Sequence, residues 1–298
     1  MEPLRDGIEI ARAFGSQSMV EPLRRVLVRR PDEAFAVDDP VAWNYAARPE
    51  LREAQQEHDA FVALLSDAGA EVVRHDATLP GLADSVFVHD PVLVTDRGTV
   101  VLSMGKPLRR GEETALAKRL EEAGVPVAGT IGGNGHAEGG DLLWLDHDTL
   151  AVGQGFRTDA DGLDQLHGIL DPAEVELFPV QLPWYEGPAA CLHLMSLVSL
   201  VSEDLAVVYL RLLPVPFWTL LRERGFDLLA VPDEEFATMG TNVLALAPRT
   251  CVMLEGNPVT KAKLEAAGCE VRTYRGNEIS LKAEGGPTCL TRPILRRA

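Results

Sequence analysis

Cys289 stands in the stretch GGPTCLTRP, nine residues from the end of the sequence. Two glycines and a proline precede it, so the backbone can make a tight turn that presents the sulfur atom. An exposed thiolate is a nucleophile, whereas a buried thiol is a small inert hydrophobe. Position alone leaves both interpretations open for Cys289. The apolar surroundings of Cys191, Cys251 and Cys269 favour inert buried thiols.

One histidine and several carboxylates are the other candidates for chemistry. His193 lies in the apolar stretch CLHLMSLVSL, which we predict to be a strand, so it is either a core residue or a general acid and base. Glu138 and Asp141 flank two glycines in HAEGGDLLWL, and Asp84 and Asp90 occupy the comparable place in ADSVFVHD. Such carboxylates could bind a metal, bind a cation, act as acid and base, or merely form turns. The spacing of the histidines and acids matches no zinc motif, which disfavours a metal.

Taken together, these residues suit a cationic, planar ligand. Carboxylates pair with a guanidinium group through parallel hydrogen bonds. A thiolate could then attack the central carbon of that group.

Repeated elements must position these residues. LLSDAGAEVVR, RLEEAGVPVAG, LRERGFDLLAV and KLEAAGCEVRT each predict a helix, a glycine and a short strand, and LDQLHGIL with Gly168 is a weaker copy. The glycines expected to end the four clear helices are Gly69, Gly124, Gly225 and Gly268. Before each helix, two apolar runs predict a hairpin, with turns at DRG, DHD, SED and APR. We also expect Asn257 to cap the last helix and Pro258 to begin it.

The repeating unit is therefore strand, strand, helix, strand. Its starting points at Phe87, Leu142, His193 and Asn242 are separated by 55, 51 and 49 residues. CLTRPIL at the end of the chain and PLRRVLVRRP near its beginning would complete a further unit, with Cys289 on the closing strand. We predict a single α/β domain over residues 1–298, a ring of five modules with functional side chains near its axis. A doubly wound sheet is the alternative.

The overall composition excludes several partners. With 28 basic and 45 acidic residues, the formal charge of −17 opposes binding to nucleic acid or an anionic membrane and favours cationic ligands. The first residues lack a secretion signal and no long apolar run follows, so we expect a cytoplasmic protein with free thiols. The apolar segment LRLLPVPFW, residues 210–218, is either a homodimer interface or the start of a core helix.

DSVFVHD, MGKPLRRGE, EGGDLLWL, GFRTDADG, HLMS and GGPTCLTRP, in this order, resemble the guanidino-group-modifying enzymes of the pentein fold. This superfamily includes dimethylarginine dimethylaminohydrolases, arginine deiminases and amidinotransferases. The resemblance implies a five-bladed α/β propeller, a small cationic guanidino substrate, and neither cofactor nor metal.

The resemblance also implies roles for individual residues. Cys289 would be the nucleophile and His193 the general acid and base, while Glu138 and Asp90 would hold the guanidinium group. In the same way, Asp84 would meet the α-amino end of the substrate. The carboxylate clamps would be Arg109 and Arg157, and Ser16 to Met19 would form a mobile flap.

Two departures from the family pattern bear on the substrate. Met195 stands where deiminases and amidinotransferases usually carry an aspartate, which favours a substituted guanidinium nitrogen over a free one. His89 stands where the dimethylarginine enzymes tend to have glutamate, which leaves the substrate open. We therefore expect a hydrolase that converts an N-substituted arginine to citrulline and an amine through a covalent thiouronium intermediate. The alternatives are an amidinotransferase, a deiminase, or a non-catalytic binding module of the same fold.

Overall fold

Five three-stranded sheets carry the chain in the computed structural model, which describes residues 13–297. In each sheet, two antiparallel strands are followed by a third strand that runs parallel to the middle one. The strands are β1 (Leu23–Val28), β2 (Glu71–Arg74), β3 (Val92–Thr95), β4 (Gly98–Val101), β5 (Val127–Thr130), β6 (Leu142–Trp144), β7 (Thr149–Gln154), β8 (Glu176–Gln181), β9 (Val198–Ser202), β10 (Leu205–Val208), β11 (Asp227–Ala230), β12 (Val243–Ala247), β13 (Thr250–Leu254), β14 (Glu270–Tyr274) and β15 (Arg292–Arg296).

Helices connect the middle strand of each sheet to its parallel partner, so the predicted strand, strand, helix, strand unit is confirmed. The α-helices are α1 (Pro40–Trp43), α2 (Leu51–Asp67), α3 (Glu112–Glu122), α4 (Ala160–Leu170), α5 (Leu194–Leu197), α6 (Val215–Glu223), α7 (Asp233–Phe236) and α8 (Pro258–Ala266). Short 3-10 helices lie at Ala83–Val86, Pro107–Arg109, Gly139–Asp141 and Asp171–Ala173, and a π-helical turn lies at Asn277–Leu281. All four predicted hairpin turns join the strands as expected.

The two ends of the chain form the fifth sheet, in the order β15, β1, β2. Antiparallel pairing places Val26 opposite Pro293, while β2 runs parallel to β1. The predicted five-module α/β fold is therefore confirmed. The prediction of one domain over 1–298 includes residues 1–12 and 298, which lie outside the described residues.

The four clear helices end as predicted, each with a glycine in the left-handed conformation. Glycine adopts this conformation at a lower cost in free energy than other residues do. The weaker fifth copy differs. Gly168 lies inside α4, and the chain turns at Glu174, which adopts a φ of 58°.

Asn257 precedes α8 but does not cap it through its side chain, so that prediction is wrong. Its amide instead donates to the carbonyl oxygens of Thr238 and Leu254. The buried carboxylate of Glu235 accepts the first free amides of the helix, from Val259 at 2.7 Å and Thr260 at 2.8 Å. A tertiary contact thus replaces the local cap, which the local sequence could not reveal.

Apolar side chains from neighbouring sheets pack together in four clusters between the modules. The segment 210–218 divides between core and surface, because Leu213 and Phe217 are buried while Leu210, Val215 and Trp218 are exposed. Its role as a dimer interface stays a prediction. Within residues 13–297, no helix combines the length and the apolar character needed to cross a membrane.

Candidate active site

Each of the five sheets contributes one polar side chain from the segment just before its first strand. Three of these side chains, Asp90, His193 and Cys289, line a cavity of about 50 Å³, while Glu138 and Asn242 lie behind it, in contact with His193 and Cys289. The five contributors are Asp90 before β3, Glu138 before β6, His193 before β9, Asn242 before β12 and Cys289 before β15. This placement follows from the repeat, because equivalent positions of modules arranged in a ring lie at one end of it. Residues from all parts of the chain are thereby brought together.

The turn before β15, and not the strand itself, carries Cys289. Its Sγ lies 3.4 Å from Nδ2 of Asn242, whose Oδ1 accepts the backbone amide of Thr288. The thiol is half-buried and lines the cavity. Burial, and then the charge of Asp90, raise its pKa to about 11. The thiol is therefore protonated at neutral pH.

The two glycines before Cys289 are required by close packing. A Cβ on Gly285 would lie 2.0 Å from the ring of Phe87, and one on Gly286 would lie 2.4 Å from Cγ of Asn242. The sequence indicated a tight turn here, and these contacts show what the turn approaches.

His193 was predicted to lie on a strand, but it is the residue before α5, and β9 begins only at Val198. Its amide donates to Oγ of Ser196, which fixes the start of this short helix. The ring lies so close to Gly140 that a Cβ there would be 2.3 Å from Nδ1. The helix turn aims the imidazole into the cavity, where a strand would have buried it.

The imidazole of His193 is held by acidic neighbours. Its Nε2 donates to Oε2 of Glu138 at 2.8 Å, inside the protein. Burial opposes the charged form, but Cys191, Asp141 and the bond to Glu138 outweigh it and raise the pKa of His193 well above its usual range. The ring is therefore a proton donor near neutral pH.

Glu138 is fully buried and ionised. Burial favours its neutral form, yet the hydrogen bond and charge of His193, together with Arg157, lower the pKa of Glu138. Its Oε1 accepts the amides of Gly105 at 2.9 Å and Lys106 at 3.1 Å. Both oxygens thus have protein partners, so its direct contact with a guanidinium stays a prediction.

Asp90 and Arg109 form a buried ion pair, with Nη1 of Arg109 2.6 Å from Oδ2 of Asp90. Arg109 also donates to both oxygens of Glu112 and to the carbonyl oxygen of Phe87. Burial would raise the pKa of Asp90, but the guanidinium group lowers it far below its usual range. Arg109 lines the cavity, yet its donors are already bonded to the protein, so its role as a carboxylate clamp stays a prediction.

Asp84 lines the cavity beside a lysine that sequence reasoning missed. Nζ of Lys106 lies 2.6 Å from Oδ2 of Asp84 and 5.1 Å from the ring centre of Trp43. The hydroxyl of Tyr45 donates to Oδ1 of Asp84. This lysine lies in the stretch MGKPLRRGE. A single lysine next to arginines gave no indication that it would line the cavity.

Arg157 is the cavity guanidinium with spare hydrogen-bonding capacity. Its Nη1 lies 3.5 Å from Oε1 of Glu138, while its buried Nε has no partner among the described residues. An unpaired buried donor is costly, so this group suits an anionic end of a ligand.

Two residues that depart from the family pattern lie in the interior of the protein, outside the lining of the first cavity. Met195 is only 4% exposed, packs in an apolar cluster and does not line the described cavity. His89 is also buried outside the cavity lining, with Nδ1 2.9 Å from the carbonyl oxygen of Thr291. Burial, and then Arg292, lower the pKa of His89 to about 3, so it is neutral. The role of Met195 as a substrate contact stays a prediction.

Cys191 was predicted to be inert, but it is half-buried in the cavity wall with its Sγ 3.4 Å from Nδ1 of His193. All four cysteines are free thiols.

The flap predicted at Ser16 to Met19 is also wrong. Gln17 bonds to Asp96 and His147 at the hairpin turns, which form the end of the sheets opposite to Cys289.

Asp90, Glu138 and His193 offer ligand atoms within 4.8 Å of one another, the geometry of a metal-binding group. Each of these groups already bonds to protein donors or acceptors. The expectation of a site without metal stays a prediction.

Five three-stranded modules arranged about a cysteine, a histidine and buried acids define a pentein of the guanidino-group-modifying superfamily. The sequence model of the family described as N,N dimethylarginine dimethylhydrolase, eukaryotic, matches residues 36–296. The chain therefore belongs to the dimethylarginine dimethylaminohydrolase family.

Several known proteins are similar to this chain. The uncharacterized protein YkgA of Bacillus subtilis is 30% identical over 83% of this chain and 82% of its own length. The dimethylarginine dimethylaminohydrolase of Streptomyces coelicolor is 29% identical over 91% of this chain and 96% of its own. The structure of the Pseudomonas aeruginosa enzyme in complex with citrulline has a TM-score of 0.74 at 22% identity, covering 91% of this chain and 98% of that one. These relatives support an enzyme that modifies guanidino groups.

Proposed function

We propose that the protein hydrolyses a C–N bond in the guanidinium group of an N-substituted arginine and releases citrulline and an amine. The placement of Cys289 and His193 in one cavity with Asp90 and Arg157 carries this proposal. A structurally similar enzyme binds citrulline, the expected product.

Charge distribution orients the substrate in this proposal. Asp90 faces the guanidinium group, and Glu138 contributes its negative charge from behind His193. Arg157, whose side chain lines the cavity, takes the substrate carboxylate. Asp84 meets the α-amino group, in exchange for its bond to Lys106.

The reaction proceeds in two steps. The bound cation lowers the pKa of the Cys289 thiol, the thiol proton passes to solvent, and the thiolate attacks the central guanidinium carbon. The C–N bond to the leaving amine breaks while His193 gives that nitrogen a proton, which leaves a thiouronium. His193 next takes a proton from water, the water oxygen bonds to the same carbon, and the C–S bond breaks. The ureido product leaves and Cys289 is regenerated.

Rapid-quench mass spectrometry of the intact protein tests this proposal. With Nω-methylated arginines, we expect a mass adduct on Cys289 and the release of citrulline. The variant Cys289→Ser should retain ligand binding and lose turnover, while Cys269→Ser, a change outside the cavity, should behave as the wild type. Unchanged turnover in Cys289→Ser would exclude the nucleophile. Formation of ornithine with an added acceptor amine would assign the protein to the amidinotransferases instead.

A further inference from the structure

Cys289 and His193 border a second cavity on the side away from Asp90 and Arg109. The second cavity has a volume of about 330 Å³, against about 50 Å³ for the first. Both cavities are lined by Cys289 and His193, and also by Cys191 and Glu284. The reactive pair, Cys289 and His193, therefore lies where the two cavities meet.

The two cavities differ in chemistry. The first is lined by charged groups, whereas the second has a wall formed by Tyr185, Leu192, Phe236 and Met239. The ring of Tyr185 meets that of Phe236 edge to face at 6.1 Å, and Tyr209 stacks on the other side of Phe236 at 3.9 Å. The aromatic wall is therefore held in place by its own packing.

The second cavity also has polar groups beside this wall, among them Ser196, Thr241 and Asn242. The buried hydroxyl of Thr241 has no partner among residues 13–297 and stands next in sequence to Asn242, the amide that contacts Cys289. The exposed residues Glu186 and Glu284 also line the second cavity, and Glu284 lines the first cavity as well.

The direction of bond cleavage connects the two cavities. Asp90 faces the first cavity, and the nitrogens that it binds stay with the product. The leaving nitrogen must face His193, which protonates it, and a substituent on this nitrogen then points into the second cavity. The first cavity is too small to accept that substituent as well.

We propose that the second cavity binds the substituent of the leaving nitrogen, and that this substituent is an apolar alkyl or aryl group larger than methyl. The inference rests on the proposed hydrolysis of N-substituted arginines and names their class. The leaving group would be an alkylamine or arylalkylamine, formed against the aromatic wall when His193 gives its proton to the leaving nitrogen.

A series of Nω-methyl-, Nω-propyl- and Nω-benzyl-L-arginine tests the size of the substituent. One added methylene group in an apolar pocket is worth on the order of tenfold in kcat/KM. We expect kcat/KM for citrulline release to be at least about tenfold higher for the benzyl than for the methyl substrate. The exposed residue Ala237 lines the second cavity, and Ala237→Trp should lower the benzyl-to-methyl ratio about tenfold or more. The same change at Ala262, an exposed position of α8, is the control and should leave the ratio unchanged.

A binding measurement separates this inference from the proposed function. In Cys289→Ser, calorimetry should show tighter binding of the benzyl than of the methyl compound, with the difference lost on adding Ala237→Trp. Turnover of methylarginine without a benzyl preference in either rate or binding would overturn the inference alone. A ratio unaffected by Ala237→Trp would also overturn it. If no substituted arginine yields citrulline while the binding preference persists, the proposed reaction is wrong and the second cavity stands.

Discussion

The most informative single change is Glu138→Gln, which removes a buried charge and keeps the shape of the side chain. Its carbonyl oxygen can still accept the amides of Gly105 and Lys106, so the fold around it should persist. Its amide nitrogen would face Nε2 of His193 and stabilise the neutral ring. The variant therefore isolates the charge that supports the imidazolium.

The expected loss follows from the burial of the pair. Oε2 of Glu138 and Nε2 of His193 lie 2.8 Å apart with the carboxylate fully buried. General acid catalysis contributes about 10²–10⁴ in rate, so the rate of cleavage should fall by about this factor when the imidazole loses the charge that keeps it protonated. At about 1.4 kcal/mol for each factor of ten, this corresponds to about 3–6 kcal/mol of activation free energy.

The pH dependence gives the sign of the effect. Glu138 helps to raise the pKa of His193, so the wild-type ring stays protonated as pH rises and activity is lost only as pH passes that raised value. In Glu138→Gln the pKa of His193 should fall, and the basic limb of the kcat profile should move to lower pH.

Steady-state kinetics over a range of pH, with thermal unfolding as a check on the fold, measure both effects. Glu121→Gln, an exposed change on α3, is the matched control and should keep the wild-type kcat. A kcat within tenfold of the wild type, or a loss without movement of the basic limb, would refute the assigned role of the pair.

Three further predictions follow from the same site. In the free protein, alkylation of Cys289 by iodoacetamide should accelerate as pH rises toward about 11, and a bound guanidinium compound that leaves the thiol accessible should move this rise to lower pH. Peptide mass spectrometry distinguishes alkylation of Cys289 from that of Cys191. A pH profile that is unchanged by the guanidinium compound would contradict activation by charge. Gly140→Ala should displace the ring of His193 and lower kcat about 10²-fold, since a misplacement of about 1 Å can cost that much in rate. The circular dichroism spectrum should be retained, and a kcat near that of the wild type would show that the ring tolerates the shift. Dialysis against a chelator should leave turnover intact, because Asp90, Glu138 and His193 already bond to protein groups, and restoration of lost activity by a divalent metal would contradict this.

The repeat made the fold predictable from sequence. Hairpin turns and glycines that end helices are local signals, and four copies of them fixed the module and its strand order. The fifth sheet could be predicted because neither end of the chain contains a complete module, while their strands together form one. Gly168 and Asn257 misled because α4 continues past the glycine and Glu235, distant in sequence, caps α8.

The site was only partly predictable. Residues that precede the first strand of each sheet converge by symmetry, so Cys289 and His193 could be placed near each other from the repeat alone. The direction of a side chain could not be read in this way. Met195 turns into the core while Cys191 turns into the cavity, and the path of the segment before α5 decides both. No local pattern encodes that path.

In the proposed function, the ionisation of the site favours a cationic ligand. Asp84, Asp90 and Glu138 are each engaged by a protein cation, and the thiol of Cys289 remains neutral because burial and Asp90 raise its pKa. A neutral ligand would leave this arrangement unchanged and the nucleophile inactive. A guanidinium group placed against the sulfur supplies the positive charge that the thiolate needs. In the proposed mechanism, substrate binding and activation of Cys289 are therefore one electrostatic event, and a ligand of the right shape without charge should bind without reacting.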